Sequence, residues 1–130
     1  MEVSRLASPF REGVFTASCP TRTVLDHVMS KWAPLILVAL SDGDSLRWSE
    51  LRRRAEGVSE KMLAQTLRML EEDGLVRREA RPVVPPHVEY SLTELGQGLA
   101  AQLVPLLGWI ADNADAILGG AASETSATVR

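Results

Sequence analysis

The stretch "GVSEKMLAQTLRMLEEDGLVRRE", Gly57 to Glu79, sets Lys61, Gln65 and Arg68 at intervals of four and three residues. Side chains so spaced share one face of a helix. A cation, a planar amide and a guanidinium on one face suit hydrogen bonding to base edges and phosphates. Gln matches adenine, Arg matches guanine, and an apolar side chain such as Met62 meets a thymine methyl. Ser59, just before the periodic run, can cap the helix and, with the free N–H groups behind it, receive a phosphate. The candidate contacts of this helix are therefore Ser59, Lys61, Met62, Gln65, Thr66 and Arg68. Glu71, Glu72 and Asp73 gather at its far end, away from a duplex that meets the N-terminal half. Arg52 and Arg53 lie one helix earlier and are candidates for backbone phosphates. Arg78, Arg81 and His87 lie in the segment after it, with Arg81 the best single candidate there. For each of these arginines taken singly, a solvated surface charge is the competing reading.

Other chemistry finds little support. Cys19, His27 and His87 are the strong nucleophile or base candidates, and they fall in no motif. There is no glycine-rich phosphate loop and no paired metal-ligand spacing. The expectation is no enzyme, no cofactor and no metal, with His27 an exposed helix residue. A single cysteine excludes an intramolecular disulfide and a multi-cysteine zinc site. The chain is acidic overall, with 14 basic and 17 acidic residues and a net charge of −3. Arg47 to Arg81 nonetheless carries nine bases and seven acids, against five and ten in the remainder. Binding follows the local face rather than the global sum, so the basic segment is compatible with nucleic acid. The longest apolar cluster, "WAPLILVAL", falls well short of the ~18 residues a membrane span needs. The N-terminus lacks the apolar core of a signal peptide, so a cytoplasmic chain is expected.

The elements that must position these residues follow from period and punctuation. Pro20 and Thr21 open a helix to about Met29, and "PLILVAL", Pro34–Leu40, predicts a central buried helix. Ser49 can cap "ELRRRAE"; Ser59 caps the next helix, from Glu60 to about Asp73. Val58 and Leu63 form a hydrophobic staple at its start, and Gly74 supplies its left-handed stop. Leu63, Leu67 and Leu70 mark the core side, opposite Lys61, Gln65 and Arg68. Leu75–Ala80 and Val88–Leu92 alternate like two strands, joined by the stiff tip "RPVVPPH". Arg77 and Arg78 point to opposite faces, so only one meets a partner on the basic side; Arg78 could instead pair with Glu89. Thr93 caps a last helix, Glu94 to about Leu118, which Pro105 should kink or break. Its apolar face is Leu99, Leu103, Leu106, Leu107, Ile110, Ala114 and Ile117, widened by Leu95, Val104, Trp109 and Leu118. That is more than one small core needs, and a second copy of the chain is the natural cover. A helix folded back on its own domain is the alternative. The predicted organisation is an N-terminal arm at 1–18, one domain at 19–118 that includes dimerisation helices, and a disordered tail at 119–130. The fold class is mainly α with a small β-hairpin, a winged helix-turn-helix with a long C-terminal helix.

On these residues the chain resembles the HxlR-type winged-helix transcriptional regulators, a branch near the MarR-type ones. The matching pieces are "CP" at Cys19–Pro20, "KW" at Lys31–Trp32, "LILVALSDG", "RWSELRR", "GVSEKMLAQTLRMLEEDGLVRR" and "PPHVEYSLTELG". They span roughly 90 residues, from Cys19 to about Trp109. Ser30 stands where the family usually has Gly before "KW", and "RWSEL" where "RFSEL" is commoner. The resemblance implies a homodimer that binds double-stranded DNA at an inverted-repeat operator. A winged-helix module for protein contact, without DNA binding, is the alternative, and the acidic net charge favours it. The resemblance also implies a small-molecule or oxidant effector, since some relatives sense oxidants or electrophiles through one cysteine near the N-terminus. Cys19 matches that position. An unreactive thiol at a structural "CP" turn is the other reading, and the favoured one.

Overall fold

The computed structural model describes the backbone of residues 16–126 and the side chains of residues 16–119. In chain order the elements are α1 (Pro20–Val28), α2 (Ala33–Ala39), β1 (Leu46–Arg47), α3 (Trp48–Arg54), α4 (Glu60–Glu72), β2 (Val76–Arg81), β3 (His87–Leu92) and α5 (Glu94–Ser126). The part of the expected N-terminal arm at 1–15, and of the expected tail at 127–130, lies outside the described residues. Among the described residues no helix is long and apolar enough to cross a membrane.

The core forms where the apolar sides of α2, α3 and α4 meet the sheet and the first half of α5. Ile36, Leu37, Leu51, Leu63 and Leu70 are fully buried there. Helix α2 is central and packs on α5, although Leu35 on its outer side stays exposed. The hairpin holds as expected and gains a third strand that the sequence pattern did not show. The sheet order is β1-β3-β2, all antiparallel, with Leu46 opposite Tyr90 and Arg47 opposite Glu89. A two-residue strand is too short to show a period of two. It also moves the start of α3: Arg47, extended by sheet pairing, is the N-cap, not Ser49. The Glu50 carboxylate accepts the Arg47 N–H at 2.8 Å, satisfying a donor the helix start leaves free.

Helix α4 follows its sequence signals closely. Ser59 Oγ accepts the Met62 N–H at 3.0 Å, and Val58 and Leu63 are both buried beneath that first turn. Gly74 takes φ +80° after the last turn, a region where a Cβ would be strained. Two neighbours then fix this end of the helix. The Thr93 hydroxyl donates to the Gly74 carbonyl at 2.6 Å and accepts the Gly96 N–H at 3.0 Å, so one side chain joins α4 to the cap of α5. From the other side His27 Nδ1 meets Asp73 Oδ2 at 2.8 Å. His27 is thus half-buried and paired rather than an exposed helix residue. A spacing of 46 residues in sequence left that pair invisible.

Helix α5 departs from expectation twice. It runs through Pro105 as one helix of 33 residues, so the break that was one of the two outcomes expected there does not occur. Proline removes the hydrogen bond to the carbonyl four residues earlier. That carbonyl belongs to Ala101, which is exposed along with Pro105, so water can satisfy it. The helix also passes Leu118 and ends at Ser126, inside the segment 119–130 expected to be a disordered tail. The small residues there, such as Ala121 and Ala122, are compatible with a helix once the preceding turns nucleate it.

Candidate nucleic-acid interface

Helix α4 presents one polar row and buries the opposite one. Lys61, Gln65, Arg68 and Glu72 are exposed, while Leu63, Leu67 and Leu70 are buried. Met62 joins the outer face at 39% exposed. Thr66 does not: at 5% exposed it is turned into the core, one position round the helix from Gln65, and no base reaches it from the α4 surface. Its small, partly apolar side chain fits the same side as Leu63, Leu67 and Leu70, a placement that a list of polar residue types misses. Ser59 is exposed but already engaged as the cap, leaving its hydroxyl hydrogen to donate outward.

The cations divide into paired and unpaired. Among the described residues the side chains of Lys61, Arg53, Arg68, Arg77 and Arg78 make no ion pair and no hydrogen bond, so their charge is open to a partner. Arg52 donates to Glu60 at 3.1 Å, which ties α3 to the first turn of α4. Arg54 is turned back, donating to the Ala39 carbonyl at 3.0 Å. Arg81, the strongest wing candidate from sequence, is also engaged: it meets Glu89 at 3.2 Å and Glu79 at 3.7 Å. The partner of Glu89 is therefore Arg81 and not Arg78, which lies opposite Tyr90. Arg78 instead lines a crevice of about 140 Å³ with Arg68, Trp48 and Tyr90, between α4 and the sheet.

Glu89 is the hub of the wing. Ser45 Oγ donates to it at 2.7 Å, His87 Nε2 lies at 2.9 Å and Arg81 at 3.2 Å. The Ser45 hydrogen bond, then that of His87, then Arg81 hold its carboxyl down at about 2, against partial burial. His87 is thus held within the wing, half-buried, with Arg47 Nη2 on its other nitrogen at 2.7 Å. Arg47 is the functional candidate that sequence reading missed. Its signal was the pairing of β1 with β3, which sets it beside the wing although 40 residues separate it from His87.

Two hollows run between these elements. One, about 880 Å³, lies between α3 and the start of α4 and is lined by Arg52, Arg53, Ser59 and Glu60 among others. The second, about 370 Å³, lies between Arg47 and the wing tip at Pro85 and Pro86. Trp48 and Ser49 border both, so the two hollows are neighbours.

The expected dimer residues also sort into two groups. Leu103 is 3% exposed within the chain's own core, and Leu99 and Leu107 pack against that core. Leu103 is thus taken up by the chain's own core, and Leu99 and Leu107 are partly covered by it. Leu106, Ile110 and Ile117 are exposed, as are Trp109 and Leu118. On α1, Val24, Leu25 and Met29 are exposed too. Cys19 is the N-cap of α1, half-buried. Its side chain makes no cap hydrogen bond, yet its thiol pKa lies below the usual value, chiefly through the nearby Arg22 backbone N–H; partial burial opposes this and Thr21 adds to it.

The family model for HxlR-like helix-turn-helix proteins matches residues 27–117. The chain is 53% identical over 114 residues to the uncharacterized HTH-type transcriptional regulator YtfH of Escherichia coli (strain K12), covering 87% of this chain and 90% of that one. The solved structure of the putative transcriptional regulator ytfH from Salmonella typhimurium superposes with a TM-score of 0.78 at 52% identity, covering 85% of this chain and 97% of that one. The redox regulator HypR in its oxidized form superposes with a TM-score of 0.67 at 39% identity, covering 73% and 97%.

Proposed function

The chain belongs to the HxlR-like helix-turn-helix family and is a transcriptional regulator of that type, and from this premise we propose that it binds operator DNA as a homodimer. Helix α4 enters the major groove, with Lys61, Met62, Gln65 and Arg68 toward the bases and Ser59 toward a phosphate. Arg52, Arg53 and Arg78 hold the backbone. The observation that carries this reading is the outward row of α4, whose Lys61 and Arg68 have no carboxylate partner while the opposite row is locked into the core. A two-fold pair of such helices reads two half-sites about 34 Å apart or a multiple of that, so the operator is an inverted repeat. The test is a titration of labelled intergenic DNA, taken from beside the protein's own gene, at several salt concentrations. Affinity should fall steeply with salt, and Lys61→Ala should lower the slope by about one as its charge leaves the interface. Arg68→Ala or Gln65→Ala should cost about 1–3 kcal/mol on the preferred site and relax preference at one base pair. Salt-independent retention, or indifference to all three substitutions, would favour a module for protein contact instead.

A second reading concerns the signal. HypR is a redox regulator, and here Cys19 stands at the N-cap position of α1, where the nearby Arg22 backbone N–H favours the thiolate. In this reading diamide takes two electrons and two protons from the Cys19 thiols of two subunits, is itself reduced to the hydrazine, and leaves an intersubunit disulfide. Diamide should then release wild-type protein from DNA and leave Cys19→Ser bound. Equal release from both proteins would assign Cys19 to the structural turn alone.

A further inference from the structure

Arg47 has the geometry of a nucleic-acid contact without having the sequence position of one. Its guanidinium carries only donors, so His87 Nδ1, 2.7 Å from Arg47 Nη2, must accept. The ring proton then sits on Nε2, which donates to Glu89 Oε2 at 2.9 Å. Glu89 fixes the tautomer, and the tautomer fixes Arg47. The groups facing His87 are accounted for on every strand of the sheet: Glu89 on β3, Arg81 and Glu79 on β2, Arg47 on β1. Glu89 and Glu79 both spend their charge on Arg81. Among the described residues the Arg47 guanidinium bonds the His87 ring and makes no ion pair, although Glu50 accepts its backbone N–H and Glu89 lies opposite it in register, so its charge stays open to a partner.

Its location fits that charge. The hollow beside Arg47 and the one at the first turn of α4 share Trp48 and Ser49 in their walls. A helix in a major groove and a wing at the adjacent minor groove are separated by one phosphodiester strand, because that strand is the border between the two grooves. In the complex proposed above, the surface between the wing tip and the first turn of α4, which carries both hollows, is where such a strand would lie.

We infer that Arg47 is a phosphate contact for duplex DNA at the root of the wing, and that His87 is the positioning residue that holds it there. The inference rests on the DNA-binding reading above. It reassigns His87, expected from sequence to touch DNA, to acting through Arg47.

The experiment uses the full chain and the labelled duplex that the wild type selects from a random-sequence pool, titrated across salt. Arg47→Gln should weaken binding about 10-fold at 0.1 M salt, lower the salt slope by about 0.9, and leave base preference unchanged, the mark of a phosphate contact. His87→Phe should weaken binding similarly, yet add nothing in the Arg47→Gln background. His87→Asn places an oxygen where Nδ1 stood and should restore most of the affinity. Thermal melting of each variant checks that it is folded. A wild-type salt slope in Arg47→Gln overturns the contact, and additive losses in the double variant overturn the positioning role. Either result leaves the effects of Lys61 and Arg68 standing. A wild type that selects no duplex overturns the functional reading as a whole.

Discussion

Gly96→Ala is expected to lower stability by about 3 kcal/mol, against a typical range of ~1–3 kcal/mol for overpacking a core. A methyl at position 96 would overlap the Leu75 carbonyl oxygen, and it would also stand 3.0 Å from the Leu75 carbonyl carbon and 3.1 Å from Leu92 Cδ2. Overlap with a flexible side chain is relieved by a rotamer change; overlap with backbone is not. Leu75 cannot withdraw freely, because its N–H donates to the Leu70 carbonyl at 2.9 Å and its carbonyl accepts the Thr93 N–H at 3.0 Å. The strain therefore passes to the end of α4 or to the cap of α5. Gly98 is the control on the same helix. It has open space where its Cβ would go, so Gly98→Ala should gain roughly 0.5–1 kcal/mol from helix propensity. Thermal melting should place Gly96→Ala about 10 °C below the wild type and Gly98→Ala slightly above it. Equal melting temperatures for the two variants would mean that the backbone contact between α5 and Leu75 is absent in solution.

That contact separates what the sequence could tell from what it could not. Helix α4 was legible end to end because its signals are local: Ser59 reaches only to Met62, Val58 to Leu63, and Gly74 acts on its own dihedrals. The strands were legible because alternation and the proline-rich tip lie within a few residues of each other. What failed was everything set by distant partners. Gly96 reads as an ordinary residue in "TELGQG", and only the path of Leu75 makes it obligatory. Arg47 reads as the flank of a helix until β3 pairs with it. Thr66 counts as polar by type and lies inside because its neighbours on the wheel are leucines. The outward polar row of the candidate site on α4 was thus legible, while the division of wing cations into neutralised and open was not. That division depends on where Glu89 falls in the hairpin register, opposite Glu79 and next to Arg47.

The same limit applies to the long helix, and there it makes the second large prediction. Leu103, Leu107, Ile110, Ala114 and Ile117 recur at alternating steps of four and three, one continuous stripe. The chain's own core covers the start of that stripe: Leu103 is buried and Leu107 packs against the core. Beyond it the stripe continues uncovered, with Ile110 45% and Ile117 55% exposed. Periodicity gave the whole stripe one role; the end of the domain divides it into two. In the homodimer proposed above, the second copy covers the outer half, and a two-fold axis places each substitution in the interface twice. A carboxylate at Ile110 would have no cation on its own helix, because no Lys or Arg stands between Arg81 and Arg130. An uncompensated buried charge costs about 3 kcal/mol or more, so two copies raise the dimer dissociation constant by about 10⁴. Ile110→Glu should therefore sediment as a monomer at micromolar concentration and lose binding to an inverted repeat while keeping its helix content. Ala101→Glu, on the opposite side of α5 and already exposed, should stay dimeric and control for added charge. A dimeric Ile110→Glu would place the interface elsewhere, with the exposed Val24, Leu25 and Met29 of α1 as the next face to substitute.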